Sequence, residues 1–379
     1  MLDKTTLKNR ILVLDGAMGT MIQRYNLTEE DFHKGLPENS HELKGNNECL
    51  NISHPEIIEE IHKEYIAAGA DIIETNTFSA NRISQKEYGT EALAYTLALE
   101  GARIARRVAG SEILVFGSVG PTSKSLSLAP DINNPAERPY SFRDMVEAYD
   151  EQIRGLIDGG VDAILIETCF DALNTKAALY ALEKIDRHFP AVVSVSVNDK
   201  SGRTLTGQTL QAFYTSVSHY PLLAFGLNCS LGADDLTPLL NEVAGFSLFP
   251  VSCYPNAGLP NEMGGYDETP EEMAESVRKM AEAGLLNIIG GCCGTTPAHI
   301  AAISAAVKGL KPRAIPEDPT GGLLTVSGLE HTSIDLKHSN FTNIGERTNV
   351  AGSLKFAKRI AADDYETGLQ IAVDQIDNG

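Results

Sequence analysis

Cysteine is scarce, with six in a chain of 379 residues, far too few for a disulfide scaffold. The opening stretch MLDKTTLKNRILVLDGAMGT lacks the continuous apolar core of a secretory leader, and no later run is long enough to span a membrane. The expected compartment is therefore the cytoplasm, where thiols stay reduced and available to metal or to chemistry. Positive charge is also short: 31 Lys and Arg stand against 51 Asp and Glu, a formal charge of -20. No Lys/Arg run with interleaved aromatics occurs, and an acidic surface repels phosphate, so nucleic-acid and membrane partners are excluded. Neither G-x-G-x-x-G nor a P-loop follows any strand-like run, which removes the usual signs of a nucleotide-binding open sheet. The nine histidines show no H-E-x-x-H spacing and none falls beside the cysteine-bearing strand ends, so a histidine-based zinc site has little support.

What is present is an ordinary globular mix, 42% hydrophobic and 22% charged, enough to build a sizeable core. Short β-branched runs alternate with longer amphipathic stretches. The strand candidates begin at Ile11, Asp71, Ile113, Ala163, Val192, Leu223, Ser247 and Asn287, and each has a polar or Gly-rich exit. Between them, segments such as PEIIEEIHKEYIAAG and TPEEMAESVRKMAEAG carry apolar residues at helical spacing and end in Gly. Eight βα pairs predict an α/β fold of the TIM (β/α)8 barrel type, in preference to an open doubly wound sheet. One connection is unusually long and polar, from Asn26 to about Asn51, and such a loop is expected over the barrel mouth.

The barrel is expected to occupy residues 1-310. A Pro- and Gly-rich linker follows at 311-325, within KPRAIPEDPTGG and just beyond it. Residues 326-379 read as a strand, a loop and a helix, and one βα unit cannot bury its own faces. The tail is therefore expected to be the first unit of a truncated second barrel.

Three cysteines carry the strongest chemical signal. Cys292 and Cys293 stand in GGCCGT at the exit of the eighth strand, and Cys229 in GLNCS at the exit of the sixth. In a TIM barrel the strand exits carry the chemistry, so these thiols are expected to meet at one mouth. Three thiolates select a borderline ion such as Zn2+ and leave one tetrahedral position open. The bland alternative is that adjacent cysteines simply pack a tight turn, and this is the expectation for Cys49, Cys169 and Cys253. The DGAMGT turn, Asp15 to Thr20, offers glycines and backbone N-H groups that suit a carboxylate. Glu167, ending the fourth strand, is an acid placed where a substrate ammonium would pair with it, with Asp15 assisting; the alternative is that such a carboxylate caps a neighbouring helix.

Taken in order, DGAMGT, GNNECLNISHPE, ETNTF, GSVGPT, ETCFD, GLNCS, YPNAGLPN and GGCCGT resemble the homocysteine-binding module of zinc-dependent homocysteine methyltransferases, over about Arg10 to Val307. FTNIGERTNVAGS is similar to the opening of the folate-binding domain that follows this module in the cobalamin-dependent methionine synthases. The resemblance implies Cys229, Cys292 and Cys293 as zinc ligands, with Asn256 as a possible oxygen ligand when substrate is absent. It implies Asp15, Gly19, Thr20, Thr75 and Glu167 as homocysteine contacts, Asp15 and Glu167 being the catalytic acids. It further implies transfer of a methyl group from methylcobalamin, bound by another module, and partnership with folate and cobalamin domains of a longer protein. The rivals are a stand-alone enzyme using betaine or S-methylmethionine, a non-catalytic zinc or redox module with a vicinal disulfide, and cysteines that only pack.

Overall fold

A computed structural model describes residues 4-38, 41-261, 264-317, 323-342 and 344-378. Eight parallel strands form one sheet: β1 (Leu12–Val13), β2 (Ile72–Glu74), β3 (Leu114–Val119), β4 (Ala163–Cys169), β5 (Ala191–Val195), β6 (Ala224–Gly232), β7 (Val251–Asn256) and β8 (Ile288–Ile289). Their order is β1-β8-β7-β6-β5-β4-β3-β2, and a parallel bridge between Leu14 and Ile72 joins the two ends. Asp71 N-H donates to Val13 O at 2.7 Å and Asp15 N-H to Ile72 O at 3.0 Å, so the ring is a (β/α)8 barrel.

Period-two alternation sorts the side chains into two cores. Leu12, Leu14, Ile72, Leu165, Val192, Tyr254 and Ile288 pack together inside the barrel. Their strand neighbours Val13, Ile73, Ile164, Val193, Cys253 and Ile289 face the helices instead. The longest helix after each strand is, in turn, Pro55–Ala67, Ala94–Ala109, Phe142–Asp158, Ala172–Asp186, Leu210–Val217, Ala233–Phe246, Pro270–Glu282 and Pro297–Val307, with shorter helices also in the first two connections. Helix Ala94–Ala109 shows why the sequence forms them: Ala94, Leu97, Ala98, Gly101, Ala102 and Ala105 recur at three-to-four spacing and are buried. Starts are fixed by side chains, as in the reciprocal caps of Ser141 with Asp144 and Thr269 with Glu272. Buried Leu7, from the N-terminal helix Lys4–Asn9, packs with the inner core.

The chain divides into two compact units, Met1–Pro319 with Val326–Thr332, and Thr320–Thr325 with Ser333–Gly379. Within the first, Arg313 is buried and donates to Ala244 O at 2.6 Å and Ser247 O at 2.7 Å. The tail differs from its expected pattern. A hairpin of β9 (Leu323–Ser327) and β10 (His331–Asp335) forms, and no strand occurs among the described residues of FTNIGERTNVAGS. A lone strand there has no described neighbour to pair with, and unpaired backbone gains nothing from an extended ladder. The expected single helix is two, Leu354–Ile360 and Tyr365–Asp377, parted at Asp363 with a φ of 52°. Among the described residues, no helix is long and apolar enough to cross a membrane.

Candidate metal centre

The exit of β6 is not regular strand. The pairing with β7 slips between Asn228 and Gly232, and Cys229 and Ser230 adopt φ of 61° and 64°, a left-handed conformation that L-residues avoid. Asn228 holds this bulge. Its Oδ1 accepts from Thr168 N-H at 3.0 Å and from the Ser194 hydroxyl at 2.7 Å, while its Nδ2 donates to Thr168 Oγ1 at 2.9 Å. Thr168, at the exit of β4, is itself left-handed with φ 55°. Two strained strand ends are thus locked by one buried amide, and the strain turns the Cys229 side chain toward the mouth.

Cys292 and Cys293 come from the GGCCGT turn after β8. A side chain at Gly291 would displace Thr295, since a Cβ there would lie 2.5 Å from Thr295 Oγ1. That hydroxyl donates to Cys292 O at 2.7 Å and accepts from Ala17 N-H at 3.1 Å, and Gly294 N-H donates to Thr20 Oγ1 at 3.1 Å. The GGCCGT and DGAMGT turns are therefore laced together. From the other side, Cys292 N-H donates to Pro255 O at 2.7 Å and Ala257 N-H to Cys293 O at 2.9 Å. Asn256 lies between those two residues at the end of β7, its Oδ1 buried and unpaired.

The ligand atoms of Cys229, Cys292 and Cys293 all lie within 4.8 Å of one another, and among the described residues no other His, Cys, Asp or Glu joins them. Cys229 Sγ and Cys293 Sγ are 3.8 Å apart. Two thiolates on a tetrahedral Zn2+, with Zn-S of about 2.3 Å, stand about 3.8 Å apart, so the donor set and spacing fit that ion. Contacts from the other two thiols hold Cys293 well below the ordinary thiol range, as expected where one negative charge is shared by three sulfurs. The other cysteines face elsewhere: Cys49, Cys169 and Cys253 are buried, and burial pushes each thiol up to about 12.

The same mouth opens on a cavity of about 340 Å³ lined by Asp15, Gly19, Thr20, Thr75, Glu167, Cys229, Cys292 and Cys293. Of the residues expected from sequence to bind metal or substrate, only Asn256 is absent from this lining. The long first loop contributes Gly45, Asn47 and Glu48. Glu167 is buried and accepts a very short hydrogen bond from the Ser118 hydroxyl on β3. Burial raises its carboxyl to about 7, opposed by that hydrogen bond and assisted by Cys293. Asp15, also buried, is pushed well up, chiefly by desolvation, although Glu74 N-H donates to its Oδ2 at 3.1 Å. Thr75 Oγ1 is occupied structurally, meeting Thr77 Oγ1 at 2.6 Å and accepting Ser118 N-H at 3.0 Å. Ser118, Asn228 and Glu74 were not singled out from sequence. The alternation of β2 was the available signal for Glu74, which shares the inward face with Ile72.

The sequence model of the homocysteine S-methyltransferase family matches residues 12-307. The chain belongs to the homocysteine S-methyltransferase family. Among solved structures, it is similar to the homocysteine methyltransferase MmuM from Escherichia coli. The oxidised form is 25% identical with a TM-score of 0.62, the match covering 78% of this chain and 95% of that one. The metallated form is 26% identical with a TM-score of 0.60, covering 79% and 96%. The family is thus represented by a protein solved in a metallated form, and the three-sulfur cluster is where this methyltransferase barrel has a fitting donor set.

Proposed function

We propose that the barrel holds Zn2+ through Cys229, Cys292 and Cys293 and makes homocysteine a methyl acceptor, yielding methionine. The observation that carries this reading is the sulfur triangle at the mouth of a homocysteine S-methyltransferase barrel, joined by no fourth His, Cys, Asp or Glu among the described residues. When bound, the ion would take the place of the proton on the homocysteine thiol, whose ordinary pKa of about 8.5 leaves it mostly protonated at neutral pH.

The chain's own residues orient the guest. Asp15 and Glu167 receive its ammonium, and Ser118 fixes Glu167 by one oxygen, leaving the other for substrate. The carboxylate faces the DGAMGT turn, where Gly19 leaves the first turn of helix Met18–Gln23 open to close approach. Asn256 supplies an oxygen toward the sulfur cluster when substrate is absent. Held at both ends, the thiol is presented in one direction, and such orientation contributes several kcal/mol, about 7 in favourable cases.

For the donor we favour methylcobalamin carried by another module of a longer, cobalamin-dependent methionine synthase, with a folate domain beginning in the tail. The resemblance of FTNIGERTNVAGS supports this, as do residues 308-379, which lie beyond the family match. The likeness to MmuM, matched over 95% of its length, favours a second reading in which a small donor such as betaine or S-methylmethionine reacts directly. Cys292→Ala tests the common core: zinc content and turnover both fall, whereas undiminished zinc would contradict it. Turnover assayed separately with methylcobalamin, betaine and S-methylmethionine then decides the donor.

A further inference from the structure

Four acids line the cavity, Asp15, Glu48, Glu74 and Glu167, and not one Lys, Arg or His is among its lining residues. Glu48 is answered locally, its Oε1 accepting Ser79 N-H at 2.6 Å. The other three approach the lumen from different strands. Asp15 follows β1, Glu74 ends β2 on the face shared with Ile72, and Glu167 comes from β4. They repel one another: Glu167 and Asp15 both act on Glu74, and Glu167 acts on Asp15. Two oxygens are left over. Asp15 is only 2% exposed, and its Oδ1 has no hydrogen-bond partner; Glu74 Oε1 is likewise shut off from solvent and unpaired. Ser118 satisfies one oxygen of Glu167, but nothing comparable serves these two.

Buried acceptors without donors are costly, and buried carboxylates without a countercharge more so. With the carboxyls ionised, the arrangement is favourable when a guest supplies both positive charge and several N-H donors; without one, burial pushes Asp15 and Glu74 toward their neutral forms. A primary ammonium does this, offering three donors from one atom. A neutral or anionic guest does not. We propose that Glu74 is the third carboxylate of the amino-acid subsite and, with Asp15 and Glu167, makes the site selective for guests bearing a protonated α-amino group. This rests on the homocysteine reading above and adds a residue and a basis of selectivity to it. Asp15 is tied to this residue directly, because the Glu74 backbone N-H donates to its Oδ2 at 3.1 Å and leaves Oδ1 as its unpaired oxygen.

Glu74→Gln keeps the shape and removes the charge. The test compares binding of homocysteine with binding of 4-sulfanylbutanoate, the same thiol acid without the amino group, by titration calorimetry on zinc-loaded, reduced protein of matched zinc content. In the native protein homocysteine binds more tightly. In the variant its dissociation constant rises about 10- to 100-fold, the range for losing a charge-assisted hydrogen bond, while that of the des-amino thiol stays the same or falls. An unchanged ratio between the two ligands overturns the proposal, and so does equal weakening of both, which marks a merely structural role. If Glu74→Gln melts before it can be titrated, Glu74→Met carries the same comparison with the same two outcomes. Native protein that binds neither thiol would instead sink the homocysteine reading, so the two failures are distinguishable.

Discussion

Replacing Glu167 by Gln should alter how stability depends on pH, with a sign fixed by burial. The carboxyl is raised from 4.5 to about 7, first by desolvation. Between those values the folded protein retains a proton that the unfolded chain has already released. Unfolding therefore gives up a proton, and stability falls as pH rises through this window. Below about pH 4.5 the contribution of this group is fully present; above about pH 7 it is lost. The shift corresponds to a stability change on the order of 3 kcal/mol. Asp15 and Glu74 are raised in the same direction, so they steepen the native curve, and removing the Glu167 charge relaxes both. Gln retains an oxygen for the Ser118 hydroxyl, which keeps the local hydrogen bond. The assay is urea unfolding of metal-free, reduced protein at several pH values, wild type beside variant, so that the cysteines contribute alike to both. The native protein loses more stability than Glu167→Gln between pH 4.5 and 8. Parallel curves would refute the reasoning, since they would mean that the carboxyl is solvated and ionises normally.

Other expectations follow from contacts around the mouth. Asn228→Ala strands Thr168 N-H and the Ser194 hydroxyl, costing about 2 kcal/mol in urea unfolding. It also weakens zinc binding in a chelator competition, because the bulge that aims Cys229 loses its lock. At Gly226 a Cβ would stand 1.9 Å from Ser252 O on the neighbouring strand, so Gly226→Ala should cost about 3 kcal/mol or more, visible as a large fall in melting temperature. Arg313→Ala leaves the carbonyls of Ala244 and Ser247 without their donor and should destabilise the barrel by about 2 kcal/mol while leaving zinc affinity unchanged.

Much of the barrel was legible because the same short pattern recurs eight times. Each strand candidate overlaps an observed strand, and alternation within runs such as Leu12, Val13 and Leu14 separates lumen from helix-facing side chains. The seventh strand starts later than its run suggested, at Val251, since buried Ser247 ends the preceding helix and hydrogen-bonds to Phe249 O. Strand exits pointed to Cys229, Cys292, Cys293, Asp15 and Glu167 because a barrel gathers its exits at one face. Partners across the ring were hidden. Asn228 is 60 residues from Thr168, and no local pattern announces that its amide spans three strands. Glu74 sat inside a motif noticed for Thr75, yet Thr75 spends its hydroxyl on its neighbours and Glu74 leaves an oxygen unpaired. The tail misled because FTNIGERTNVAGS has the composition of a strand exit, whereas a strand needs a partner that sequence cannot supply.

The central claim is that three protein sulfurs share one Zn2+ that still accepts a guest. Zinc X-ray absorption tests it most directly, recorded on the reduced protein before and after addition of homocysteine. Three sulfur neighbours at about 2.3 Å with one lighter ligand are expected, changing to four sulfurs when homocysteine arrives. Fewer than three sulfurs at the outset, or a shell that homocysteine leaves untouched, would contradict it.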